Sequence, residues 1–106
     1  MLATKTRFVQ DIRESDRVEG VFLVKYKALQ AGKTGKPYLN IVLIDKTGEI
    51  EARVWDDAEA VAGRFEKDDF VDIKGRAQAY QGRVQLNVFE ADRRDAASLN
   101  LADFLP

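Results

Sequence analysis

The residues best suited to chemistry in this 106-residue chain are three aromatics, Tyr38, Trp55 and Tyr80, and two arginines, Arg53 and Arg83. An indole or phenol ring offers a flat π face to an unpaired nucleobase, and each such stack contributes about 1 to 3 kcal/mol. A guanidinium can lie on a base and fork to a phosphate at the same time. Asn40, Gln85 and Asn87 carry amides able to read base edges, although cross-strand hydrogen bonding is their plainer role. Lys25, Lys27, Lys33 and Lys36 are candidate phosphate contacts, set against the ordinary work of surface lysines in keeping a protein in solution. The aromatics have structural alternatives too. Trp55 could pack under a helix or the N-terminal lead-in, Tyr80 on its own turn, and Tyr38 over the open end of a strand.

Catalytic chemistry finds little to use. The chain has no His and no Cys, which removes disulfides, thiolates, zinc sites of the usual ligand types and imidazole bases, leaving only a hard cation on carboxylates. The pairs Asp56-Asp57 and Asp68-Asp69 read as helix capping and turn solvation. The run Gly32-Lys33-Thr34-Gly35-Lys36 has the composition of a phosphate loop but lacks its glycine spacing and leads into a strand. The expectation is a chain that is not itself an enzyme, with no metal site and no cofactor.

The elements that must position these side chains follow from hydrophobic periodicity. From Lys36 to Trp55 two strands flank a tight turn at Lys46, Thr47 and Gly48. Leu39, Ile41 and Leu43 share an inward parity with Ile50, Ala52 and Val54, while Tyr38, Asn40, Val42 and Ile44 and Glu49, Glu51, Arg53 and Trp55 face the other way. Before them, Val18 to Leu29 reads as one long strand of ambiguous parity, with Gly20 marking a bulge or bend. Asp56 to Phe65 changes to helical spacing, with Asp56 and Asp57 at the capping positions. Phe70 to Ala79 and Arg83 to Ala91 form a second hairpin closed by Tyr80-Gln81-Gly82. Val71, Ile73, Gly75, Ala77, Val84, Leu86 and Val88 point inward.

The overall charge of −1 argues against a tight, sequence-blind binder of duplex nucleic acid. Its distribution is uneven. Between Lys25 and Arg53 six cations face three anions, whereas between Asp56 and Asp72 seven anions face two cations. A phosphate backbone is steered toward the first two hairpins and away from the acidic middle. No apolar run is long enough to span a bilayer and the first residues lack a secretion signal, so the cytoplasm is the expected compartment and no membrane partner is expected.

Five strands, one short helix between strands 3 and 4, and a bent first strand describe an all-β Greek-key barrel of the OB-fold type. The expected organisation is a lead-in over 1–15, the OB-fold over 16–92 and a linker over 93–106, with only the two tails as candidates for disorder. The residues also resemble a known group. The run from Gly35 to Trp55, then Val71-Asp72-Ile73-Lys74-Gly75-Arg76-Ala77 and Gly82-Arg83-Val84-Gln85-Leu86-Asn87-Val88, is similar to OB domains of the tRNA-anticodon and helicase-associated type. Asp45-Lys46-Thr47-Gly48-Glu49-Ile50 is the most characteristic part. Within that group the chain most resembles the N-terminal domain of YhaM-type HD-domain 3'-5' exoribonucleases, and its closing Ala102-Asp103-Phe104-Leu105-Pro106 is similar to their interdomain segment.

That resemblance implies a module that grips single-stranded RNA or DNA, with little sequence selectivity, for a downstream hydrolase domain of the same polypeptide. An HD site needs His ligands, so any such catalysis belongs to a part outside this chain. The expectation is a fragment that starts at the natural Met1 and ends in the linker near Pro106. The rival expectation is a protein-interaction or homo-oligomerisation module that binds no nucleic acid and uses Trp55, Phe89, Val42 and Ile44 as its contact surface.

Overall fold

A computed structural model describes residues 7–105. Its elements are β1 (Arg17–Ala31), β2 (Pro37–Asp45), β3 (Gly48–Val54), α1 (Ala58–Ala62), β4 (Phe70–Tyr80) and β5 (Arg83–Arg94), with 3-10 turns at Val9–Asp11, Ala96–Ser98 and Leu101–Asp103. The strands close into a barrel in the order β1-β2-β3-β5-β4, the five-stranded OB-fold expected from the periodicity. The part of the lead-in before Arg7, and Pro106 at the end of the linker, lie outside the described residues.

Strict alternation fills the barrel. Leu39, Ile41 and Leu43 from β2, Ala52 and Val54 from β3, Val71, Ile73 and Ala77 from β4 and Leu86 from β5 are almost wholly buried. Gly75 shares that parity for a steric reason: a Cβ there would stand 2.4 Å from the carbonyl oxygen of Asn87, beside the register shift between Lys74 and Gly75. The helix α1 closes one end through Ala58 and Val61, with Phe65 just beyond it.

β1 serves two partners, as its length suggests. Arg17 to Leu23 pair with β4 and Leu23 to Ala31 pair with β2. The irregularity lies between Val24 and Tyr26, however, and not at Gly20. Gly20 stays in register opposite Ile73, and a Cβ at this position would meet the Arg7 Cβ of the lead-in at an ordinary contact distance of 3.5 Å. The bend falls at Val24 because the chain entering β4 docks there, with Val24 N–H donating to Asp69 O and Asp68 N–H donating to Val24 O.

The ambiguous parity of β1 has a physical origin. Phe22 and Val24 enter the barrel, while Leu23 joins a second apolar cluster with Leu99 and Phe104, against which Val21, Ile44 and Phe70 pack. Both faces of this stretch are covered. The segment after β5 therefore folds back on the barrel and leaves Ile44 half-buried. The helix also begins differently from expectation: Asp57 occupies the N-cap position in left-handed conformation (φ 52°) and its side chain makes no capping hydrogen bond. The acids at Asp56 and Asp57 thus act through charge near the helix start rather than through a capping bond.

Candidate nucleic-acid interface

Register places the expected side chains on one outer face. Asn40 pairs with Arg53 across β2 and β3, and Arg53 pairs with Asn87 across β3 and β5. Two residues further along each strand, beyond the Leu39–Val54 pair, Tyr38 and Trp55 stack with ring centroids 4.8 Å apart and planes inclined by 29°. The Trp55 indole N–H donates to Asn87 Oδ1 at 3.3 Å, and the Tyr38 hydroxyl donates to Gln30 Oε1 at 2.7 Å. These bonds fix the rings without covering them. Trp55 keeps 44% of its surface exposed.

Tyr80 approaches from the other side. It is the last residue of β4, and the two-residue turn Gln81-Gly82, with both φ angles positive, sets it opposite Arg83. Tyr80 is 54% exposed. The Arg53 guanidinium lies 5.8 Å from the Tyr38 ring centroid and 6.0 Å from that of Tyr80. A cation near two phenols is attracted by their quadrupoles, and Arg53 has no carboxylate partner among the described residues.

The polar edges of this cluster are unfinished. Arg53 Nε and Asn40 Oδ1 are buried and lack hydrogen-bond partners among the described residues. A buried donor or acceptor left unpaired typically costs about 1 to 3 kcal/mol, so such a group in a native fold calls for an explanation. A ligand that supplies the missing partners is one. Charges of both signs surround it: Trp55 borders a depression lined by Lys36, which lies 3.4 Å from Asp56, and by Asp57 and Glu59.

The structure brings together Trp55, Tyr38, Tyr80, Arg53 and Asn40, with Gln85 and Arg83 beside them on β5. The lysines are placed otherwise. Lys27 is turned to α1, where its ammonium donates to Phe65 O at 2.7 Å and also to Ala62 O, with only 15% of its side chain exposed. It completes the helix C-terminus, a position where a cation is favourable, and is withdrawn from the phosphate-contacting set. Lys25 pairs with Glu49 at 2.8 Å. Lys33 stands exposed in the loop between β1 and β2. Two residues on this face escaped sequence reasoning. Tyr26 pairs with Val42 and is 45% exposed, but the register shift beside it disguised its parity. Glu51 receives a hydrogen bond from Gln85 Nε2 at 2.9 Å and was read only as a surface charge.

A barrel with aromatics and an arginine on the face of strands 2 and 3, flanked by the 1-2 and 4-5 connections, defines an oligonucleotide-binding architecture. Residues 9–92 match the profile of the OB-fold nucleic acid binding domain family of tRNA-anticodon type, and the chain belongs to that family. Among curated relatives, the 3'-5' exoribonuclease YhaM of Listeria monocytogenes is 35% identical over 78 residues, covering 74% of this chain and 25% of the relative. That of Halalkalibacterium halodurans is 36% identical over 73 residues, covering 69% of this chain and 23% of the relative. The chain thus spans about a quarter of their length. Among solved structures, the second OB-fold domain of replication protein A from Methanococcus maripaludis superposes with a TM-score of 0.66 at 15% identity, covering 84% of this chain and 94% of that one. The single-stranded DNA binding protein of Thermus aquaticus gives 0.65 at 17% identity, covering 74% and 40%. At such identities the likeness is one of fold.

Proposed function

We propose that this domain holds single-stranded RNA or DNA across the outer face of β2 and β3 and presents it to a hydrolase domain of the same polypeptide, located in the cytoplasm. Trp55, Tyr38 and Tyr80 supply stacking surfaces, Arg53 and Arg83 supply stacking and phosphate contacts, and Lys33 and Lys36 add a weaker field at the rim. Catalysis belongs to the other domain. The observation that carries this reading is Arg53, set between half-buried Tyr38 and exposed Tyr80 with its Nε buried and unpaired among the described residues. Stacking is indifferent to base identity, so most of the strand is held with little sequence choice.

A homo-oligomeric or protein-binding role is favoured by one observation, the 66% exposure of Phe89 on β5. The two roles separate in a single experiment. Fluorescence anisotropy with labelled oligo(U) and oligo(dT), run beside light scattering, is expected to give micromolar or weaker affinity at moderate salt, falling further as salt rises and about tenfold in Trp55→Ala. Size that grows with concentration, together with no affinity at low salt, would establish the assembly role instead.

A further inference from the structure

β3 and β5 are hydrogen-bonded neighbours only at Ala52 with Leu86 and Arg53 with Asn87. Toward the start of both strands they part, and the gap forms a notch of about 290 Å³ lined by Val42, Glu49, Ile50, Glu51, Arg83, Val84 and Gln85. Its size sits at the small end of ligand sites and suits one planar heterocycle. The apolar lining comes from Val42, Ile50 and Val84. The polar walls are of opposite sign: Glu51, held by the amide of Gln85 at 2.9 Å, and Arg83, which has no ion-pair partner among the described residues. Glu49, the other carboxylate, is engaged by Lys25 at 2.8 Å.

We infer that this notch is a base-reading pocket selective for guanine, with Glu51 and Arg83 as its specificity determinants. The inference rests on the single-strand binding proposed above. A carboxylate only accepts hydrogen bonds, and among the four RNA bases guanine alone presents two adjacent donors, N1–H and the N2 amino group. Uracil sets its single N3–H between two carbonyl oxygens, while adenine and cytosine place a ring-nitrogen acceptor beside their amino groups, so each turns a lone pair toward one carboxylate oxygen. On its other edge guanine carries O6 and N7, the two acceptors that an arginine fork matches. One carboxylate and one unpaired guanidinium in the same notch fit that donor and acceptor pattern.

The placement also fits a continuous strand. Val42 and Glu51 follow Asn40 and Arg53 by two residues in the same register, about 7 Å along the sheet. Arg83 lies opposite Tyr80, whose ring is 6.0 Å from the Arg53 guanidinium. A base in the notch is therefore adjacent to one stacked at the aromatic cluster. An otherwise indifferent strand gains one preferred position.

The test is anisotropy at low salt with labelled U8, the same strand carrying one central guanosine, and versions carrying inosine, which lacks the N2 amino group, or 7-deazaguanosine, which lacks N7. The guanosine strand is expected to bind about tenfold tighter than U8, with each analogue losing part of that gain. Glu51→Gln replaces one acceptor with a donor and removes a negative charge. It is expected to tighten U8 modestly while bringing the guanosine-to-U8 ratio to about one, and circular dichroism melting checks that the variant is folded. U8 binding with no gain from guanosine, or a gain that survives Glu51→Gln, overturns the pocket and leaves the single-strand reading standing. No binding of any strand overturns both.

Discussion

The two ends of the β2-β3 hairpin carry opposite kinds of polar chemistry. At the turn, Asp45 is buried to 4% exposure and accepts from Val9 N–H and Thr47 N–H, each at 2.8 Å, and from the Thr47 hydroxyl. Lys46 N–H donates to Asp103 O, and its ammonium lies over the Phe8 ring. Lead-in, turn and C-terminal segment are thus sewn together at one point. At the other end Trp55 stands exposed, and Arg53 Nε and Asn40 Oδ1 have no hydrogen-bond partner among the described residues. The same two strands use one end to hold the fold together and leave the other open to the proposed nucleic-acid strand.

The contrast is broken most forcefully at the turn. Asp45→Ala leaves two backbone donors of separate segments unpaired, and urea unfolding is expected to show a loss of about 2 to 4 kcal/mol. The folded variant should bind U8 as the parent does, because Asp45 lies at the far end of the hairpin. Weakened binding by fully folded Asp45→Ala protein would place the ligand nearer the turn. At the aromatic end the ranking reverses. Arg53→Lys keeps the charge but loses the planar group between Tyr38 and Tyr80, and is expected to weaken U8 binding about fivefold with an unchanged salt dependence and little change in stability. Full retention of affinity would reduce Arg53 to a point charge and remove its role as a platform.

Much of this was legible in the sequence because both hairpins alternate cleanly. Inward Leu39, Ile41, Leu43, Ala52, Val54, Ile73 and Leu86 needed only a period of two. The motif Asp45-Lys46-Thr47-Gly48 stood out as characteristic, but that its carboxylate reaches back to Val9 is a contact across 36 residues that no local pattern encodes. Parity failed in β1 for a related reason. The covering residues Leu99 and Phe104 arrive from the far end of the chain, making a two-sided strand look like a disordered pattern. Lys27 shows the same limit. Its type fits phosphate, yet its ammonium meets helix carbonyls that sequence spacing does not bring near. Glu51 was passed over because its significance comes from the parting of β3 and β5, a property of the barrel rather than of either strand.

Trp55 is the only tryptophan in the chain, so its emission reports directly on the proposed platform. Titration with unlabelled U8 at low salt is predicted to quench that emission along the same curve that anisotropy gives for the labelled strand, with salt reversing both together. A strand that binds by anisotropy while the indole emission stays unchanged would contradict the account, because the nucleic acid would then lie on some other face of the barrel.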